Sequence, residues 1–206
     1  MVCITAGAYF CTGVLRSVRF DRWVVYLDRQ WGLDIAKSTL LIVTGALLPI
    51  TALIGSLSSG YISDVLFRAR RAPVAMVLYG IESAVILAAA LLLSNAATAS
   101  ALLAAIMTLT ISLTCNSTHS ILGTAAAMDL GGRKMAGFAS GVIDSFQYIG
   151  GGLAGVGFGT MVDYTVRYTQ LGWTVWYYFM LPFSLIGMCL KAYLSLKTRG
   201  RAVKGA

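Results

Sequence analysis

An arginine deep inside a long apolar stretch is the residue best placed for chemistry in this chain. Arg16 lies within the apolar run Val2–Leu27, and its polar and aromatic neighbours recur in steps of three or four. At 3.6 residues per turn, these residues share one face of a helix: Thr5, Tyr9, Thr12, Arg16, Arg19, Trp23 and Tyr26. Such a face does not suit lipid, and it predicts the wall of a water-filled pathway for an anion. The alternative is that the arginines extend to the membrane interface or pair with Asp21.

A second polar group surrounds Asp144, in the fifth apolar stretch. Helical spacing places Ser140, Gln147, Tyr148 and Gly151 on the same face as this aspartate. Two interpretations are open for the group, namely the lining of a cavity and hydrogen bonding between helices.

Two further ionisable residues lie in apolar surroundings, where charge is costly and marks candidate functional residues. Glu82 is in the middle of the third stretch, where it needs a partner or a proton. A structural role and a coupling role are both open for it. His119 belongs to the polar segment 108–120, and it either bonds between helices or contributes to a phosphate or proton pathway.

The elements that must position these residues are six long apolar segments. Hydrophobic residues make up 58% of the chain and charged residues 12%, with a mean hydropathy of +0.78. A helix needs roughly 20 apolar residues to cross the hydrocarbon core. We therefore expect an all-α membrane protein, a six-helix bundle over residues 1–196 with a basic cytoplasmic tail at 197–206. The predicted spans are Val2–Leu27, Thr39–Tyr61, Ala72–Leu93, Ala99–Met128, Met135–Val162 and Thr174–Leu196.

The basic residues predict the orientation of the bundle. One set of helix ends carries most of them: Arg68, Arg70, Arg71, Arg133, Lys134, Lys191, Lys197, Arg199, Arg201 and Lys204. The opposite set carries Arg29, Lys37 and Arg167. Basic residues accumulate on the cytoplasmic side, so both termini are expected there. The net charge of +8 then follows from topology, and no nucleic acid partner is expected.

Other motifs point away from catalysis, metals and cofactors. Cys3, Cys11, Cys115 and Cys189 all fall in apolar spans without metal-ligand spacing. Gly150–Gly152 lacks the preceding strand and following Lys-Ser/Thr of a phosphate loop. Small residues at Gly151, Gly155 and Gly159 instead predict close packing of another helix. We expect neither an enzyme nor a bound cofactor or metal.

The connection between the second and third spans combines a glycine, an acid and several basic residues. Gly60 is expected to allow tight packing at a helix end, and Asp64 to pair with arginines as a conformational latch; the arginines are Arg68, Arg70 and Arg71. The segment Gly60–Arg71 resembles the signature cytoplasmic loop of the major facilitator superfamily, which follows the second helix of each six-helix half.

A second resemblance is narrower. The run Asp129–Gly141, continued by Phe146–Gly151, is similar to the loop and eleventh helix of organophosphate:phosphate antiporters. Leu15-Arg16, Asp21 and Tyr26-Leu27 resemble the seventh helix of that family at the same spacing. The resemblance implies that Arg16 is one of a pair of arginines that bind the phosphate group.

The resemblance covers most of the chain and implies the C-terminal half of a transporter. It implies exchange of an organic phosphate for inorganic phosphate, in a plasma or inner membrane rather than an organelle. The N-terminal half, or a second chain, is then an expected partner together with the lipid bilayer. The alternatives are a transporter for another organic anion and a transporter-like sugar-phosphate sensor. The residues that we expect to bind the substrate are Tyr9, Thr12, Arg16, Arg19, His119, Asp144, Gln147 and Tyr148.

Overall fold

The computed structural model describes residues 2–34, 37–68, 70–168 and 172–204, without the side chains of residues 125, 127, 129, 130, 133 and 198–204. The described residues form an all-α fold with six helices. A π-helical segment, Ile121–Ala126, joins the fourth and fifth helices, and a 3₁₀ turn, Gly172–Thr174, precedes the sixth. The helices are α1 (Val2–Trp31), α2 (Thr39–Val65), α3 (Arg71–Ser94), α4 (Ala101–Ser120), α5 (Ala127–Tyr168) and α6 (Val175–Lys204).

Four helical segments are long and apolar enough to cross a membrane: Thr39–Val65, Arg71–Ser94, Ala101–Thr124 and Gly172–Lys197. Length and composition thus confirm the all-helical class and four of the six expected spans. Charged and polar residues lower the hydropathy of α1 and α5, among them Arg16, Arg19 and Asp144. The crossing of the membrane by α1 and α5 stays a prediction.

The outer surface of the bundle is apolar, as expected for helices that contact lipid. Leu57 on α2 is 66% exposed, Leu102 on α4 is 60% exposed and Val156 on α5 is 71% exposed. Soluble monomers rarely carry contiguous apolar patches of this extent. The interior contains aromatic residues as well, including the fully buried Tyr26, Tyr79 and Trp176.

The helix contacts follow a pattern that repeats between the two halves of the chain. Helix α1 packs against α5, and α2 packs against α4. Helix α3 packs against α6, while α1–α6 and α3–α4 are further contacts. Exchanging α1, α2 and α3 with α4, α5 and α6 reproduces this set of pairs. If successive helices alternate in direction, as six membrane crossings would require, the two groups of three run in opposite senses.

Close helix crossings occur at glycines placed symmetrically in this pattern. A Cβ added at Gly150 on α5 would meet the carbonyl oxygen of Phe10 on α1, and one at Gly55 on α2 would meet that of Leu113 on α4. Gly13 on α1 likewise faces the backbone of Gln147. The predicted contact at Gly155 and Gly159 was wrong for the described residues, since a Cβ at either glycine would meet nothing within 4 Å. The crossing uses the adjacent face of α5, with Gly151 at its margin.

The chain reverses direction between α4 and the main part of α5 at Gly132, whose φ of 58° and ψ of −173° are non-helical. Only glycine adopts such a conformation at little cost. The residues before Gly132 continue α4 through the π-helical segment, so the predicted end of the fourth span near Met128 is close to this turn. At the far end, α6 extends to Lys204, so the helix continues into the segment predicted as a basic tail.

Lys191 corrects the predicted set of basic helix ends. It lies within α6, is 1% exposed, and its Nζ donates to Thr5 Oγ1 on α1 at 3.1 Å. The aliphatic stem of a lysine packs well in an apolar interior. Lys191 therefore belongs to the α1–α6 interface and not to a loop, whereas Arg68 and Arg70 are exposed as expected.

Candidate functional site

A cavity of about 470 Å³ opens between α1, the π-helical segment and α5. It brings together residues more than a hundred positions apart in sequence. Its polar lining includes Tyr9, Arg16, His119, Ser140, Asp144, Gln147 and Tyr148. Six of the eight predicted substrate-binding residues thus share one cavity.

Arg16 supplies the positive charge of this cavity. Its Nε is buried without a hydrogen-bond partner in the described structure. Within the described residues, no carboxylate lies at ion-pairing distance from Arg16; Asp21 instead accepts a hydrogen bond from Ser17 Oγ at 2.9 Å. A guanidinium has five donors in a fixed fork that matches carboxylate and phosphate oxygens. The predicted pairing of the α1 arginines with Asp21 is therefore not made by Arg16.

Arg16 also lines a second, smaller cavity. This space of about 270 Å³ lies between α1 and α5, and Gln147 and Tyr148 line both cavities. Ser17 and Asp21 are at its other side. Arg16 therefore lines both cavities, and each of them is also lined by an aspartate, Asp144 in the larger and Asp21 in the smaller.

Tyr9 and His119 form a pair at the wall of the larger cavity. The Tyr9 hydroxyl and His119 Nδ1 are 2.7 Å apart, and the two rings stack with centroids 5.4 Å apart. Asp144 and Arg16 both interact electrostatically with the Tyr9 hydroxyl. The aromatic hydroxyl is thus within reach of an acid, a base and a guanidinium.

The π-helical segment makes room for this pair. Gly123 lies in the segment, and a Cβ added there would collide with the Tyr9 hydroxyl. Single-turn π-helical insertions occur frequently at functional sites. Here the insertion directly follows His119 and places a glycine beside the cavity.

Two predicted substrate-binding residues lie outside the cavity lining. Thr12 is fully buried, with its Oγ1 2.6 Å from the Tyr79 hydroxyl, which in turn donates to the Ala8 carbonyl oxygen at 2.5 Å. Arg19 is 3% exposed, and its NH1 donates to Ser112 Oγ at 3.0 Å. Both side chains face the helical interior and not the space that a ligand could occupy.

The polar face of α1 therefore differs from the predicted water-filled wall. Thr5, Tyr9, Thr12, Arg19 and Tyr26 are all buried, because α4, α5 and α6 surround α1. Of the seven residues of this face, the cavity is lined by Tyr9 and Arg16. Most of the face stabilises helix contacts through hydrogen bonds, and its central part forms the site.

Sequence patterns did not predict that the site is supported by Tyr79, Ser112 and Gly123. Tyr79 is a single polar group in an apolar helix, and Ser112 belongs to a segment rich in serine and threonine. Gly123 follows His119 by four residues, one turn of an α-helix. That spacing, combined with the helical prediction, is the signal that could have identified it.

The predicted pairing of Asp64 with an arginine is present where α2 ends, and its partner is Arg71. Arg71 NH1 bonds Asp64 Oδ1 at 2.6 Å and also donates to Ser63 Oγ at 2.6 Å. These contacts join the end of α2 to the start of α3. Arg68, with a φ of 48°, and Arg70 are exposed beside them.

Gly60 does not have the predicted position at a helix end. Helix α2 continues past it to Val65, and a Cβ at Gly60 would meet nothing within 4 Å. In this chain, Gly60 contributes no close helix contact among the described residues.

No known protein-family model matches this chain, and no curated protein matches it significantly.

Proposed function

We propose that this chain is the six-helix C-terminal half of a major facilitator transporter that exchanges an organic phosphate for inorganic phosphate. The observation that carries the proposal is Arg16, a guanidinium with an unpartnered Nε at the wall of a hydrogen-bonding cavity. A charge in such surroundings is costly without a counter-ion. An anionic ligand provides one.

The lining of the cavity supports a phosphate ester over a simple anion. Arg16 would hold the phosphate oxygens, as an arginine fork does elsewhere. His119, Ser140 and Gln147 offer donors and acceptors for the hydroxyl groups of the organic part. A volume of about 470 Å³ accommodates a small ester of this kind.

The repeated contact pattern supports transport. Secondary transporters are often built from inverted repeats, with the substrate near the midplane at the repeat interface. Here α1 and α4 are equivalent by position, and the cavity lies beside both. Alternating access would then need the N-terminal half or a second chain, packed on the exposed apolar faces of α2 and α5, in a plasma or inner membrane.

The proposal is tested by replacing Arg16 with lysine in the full-length protein. Lysine keeps the charge but loses the fork, so Arg16→Lys should weaken inorganic phosphate binding by about 10- to 100-fold. Arg22→Lys is the matched control, because Arg22 is on the same helix but does not line either cavity. Calorimetry on both purified variants measures the effect.

Near-normal phosphate affinity in Arg16→Lys would contradict the anion site. Normal binding of inorganic sulfate or a dicarboxylate, without binding of phosphate, would favour a transporter for another organic anion. Binding of phosphate esters without any counter-transport in vesicles would favour a sensor.

A further inference from the structure

A second buried charged cluster lies beside the cavity, between α1, α3 and α4. Glu82 on α3 is fully buried and Arg19 on α1 is 3% exposed. Arg19 donates to Ser112, and Thr118 Oγ1 donates to Glu82 Oε2 at 3.4 Å. The Cys115 thiol interacts electrostatically with Glu82 from α4. We name these residues the Glu82 cluster.

The cluster is incompletely satisfied. Arg19 Nε and Glu82 Oε1 are both buried without a hydrogen-bond partner in the described structure. The two side chains interact electrostatically but are not among the described ion pairs within 4.0 Å. Buried charges usually require close pairing and full hydrogen bonding. The free oxygen of Glu82 is therefore a position where a proton lowers the cost of burial.

The charged and ionisable groups near Glu82 come from α1, α3 and α4. Arg19 faces it from α1, Cys115 faces it from α4, and Tyr79 precedes it by one turn on α3 itself. Arg16 interacts with Cys115 from the far side. Among the described residues, the other elements packed on α3 bring no further charged group into interaction with Glu82. Arg19 is thus the cation whose charge Glu82 balances.

We propose that Glu82 is a proton-binding site whose occupancy is linked to anion binding at Arg16. With Glu82 ionised, the carboxylate and the Arg19 guanidinium cancel each other. A proton taken from water converts the carboxylate to a neutral acid and leaves the charge of Arg19 uncompensated. Arg19 follows Arg16 by three residues, about one helical turn, so this charge adds to the positive field of the cavity.

The linkage gives a definite sign. Anion affinity rises as the pH falls through the titration of Glu82, and anion binding in turn draws a proton from solution, since coupling is reciprocal. We expect a change in affinity on the order of tenfold, which is typical for two coupled sites. The inference rests on the proposed anion-binding function and adds a proton to its binding step.

The test compares the full-length protein with its Glu82→Gln variant, in which the side chain is permanently neutral. Calorimetric titration with inorganic phosphate, in two buffers of different ionisation enthalpy, gives the number of protons taken up on binding. Phosphate itself titrates identically in both proteins, so the difference isolates Glu82. Asp163→Asn, at an exposed carboxylate on α5, is the matched control.

We expect the wild type and Asp163→Asn to take up more protons per phosphate than Glu82→Gln. The variant should also bind at high pH as tightly as the wild type does at low pH. Equal proton uptake in Glu82→Gln and the wild type, with normal phosphate binding, would overturn the proton site alone. Absence of phosphate binding in every protein would instead refute the proposed function, and the inference with it.

Infrared difference spectra keep the proposal testable if Glu82→Gln does not fold. Phosphate addition should produce a band of a protonated carboxyl group in the wild type. Cys115→Ala removes the thiol neighbour of Glu82, so a band from Glu82 should shift in that variant. A missing band, or one that does not shift, would overturn the assignment.

Discussion

The position of the Tyr9 hydroxyl depends on three elements at once. Helix α1 carries the ring, α4 supplies the His119 partner, and the π-helical segment leaves space at Gly123. Interiors are packed closely enough that one additional methyl group is felt. The geometry of the cavity wall is therefore sensitive to the smallest substitution at Gly123.

We expect Gly123→Ala to displace the Tyr9 ring and break its contact with His119. Overpacking of this kind costs about 1–3 kcal/mol, which corresponds to a fall in melting temperature of roughly 2–4 °C for each kcal/mol. Phosphate affinity should fall several-fold in parallel, since Tyr9 lines the cavity. Thermal unfolding in detergent and calorimetry measure the two effects.

Gly141→Ala is the control for this substitution. It adds the same methyl group to α5 at a position where a Cβ meets nothing within 4 Å. If Gly123→Ala kept the melting temperature and affinity of Gly141→Ala, the collision with Tyr9 would not be a determinant of the site.

The sequence predicted which residues line the cavity better than it predicted the contacts that these residues make. Periodicity identified Arg16, Asp144 and Gln147 because a polar residue is conspicuous in an apolar helix. It did not separate Arg19 from Arg16, although one is buried against Ser112 and the other lines the cavity. A helical face is defined by spacing within one segment, whereas burial depends on which neighbouring helices cover that face.

At the scale of the elements, the contact between Asp64 and Arg71 joins two apolar helices at their polar ends. The Asp64 side chain is 61% exposed, whereas that of Arg71 is 19% exposed. Exposed ion pairs contribute about 0–1 kcal/mol, so this pair is too weak to hold the fold together. It is strong enough to bias two conformations that differ little in free energy.

We expect Asp64→Asn to change the rate of interconversion more than the affinity of the central site. Exchange of inorganic phosphate in vesicles should slow severalfold, while equilibrium phosphate binding changes less than about twofold. Arg70→Gln is the control, because Arg70 is an exposed cation of the same loop. Equal loss of binding and exchange in Asp64→Asn, at normal expression, would argue against a latch.

The helices themselves were predictable, and their irregularities were not. The starts of α2 and α3 agree with the apolar pattern within one residue. The apolar pattern did not predict the π-helical segment or which glycines of α5 contact α1, because both depend on packing between segments. Gly150 and not Gly155 forms the crossing, since the register depends on the rotation of α5 against α1.

At the scale of the whole molecule, the number of membrane crossings determines which loops lie on the same side of the membrane. If all six helices cross the membrane, as predicted, the α2–α3 loop, the turn at Gly132 and the end of α6 lie on the same side. Most basic residues lie at these three places, even with Lys191 removed to the interior. The positive-inside tendency then predicts that this side faces the cytoplasm.

We expect Lys204→Cys to react with a membrane-impermeant maleimide in inverted vesicles and not in intact cells. Lys37→Cys, in the α1–α2 connection with its parent side chain 84% exposed, should show the opposite behaviour. Both are made in a background without the exposed Cys3 and Cys189, while Cys11 and Cys115 are buried. The reason is that six crossings return the chain to its starting side, whereas one crossing does not.

This pair of variants also tests whether α5 crosses the membrane. With all six crossings, positions 37 and 204 lie on opposite sides. If only the four strongly apolar segments crossed, the chain would cross the membrane four times between positions 37 and 204. Both positions would then lie on one side. Labelling of both variants from the same side would therefore refute the crossing by α5, and with it the six-crossing bundle.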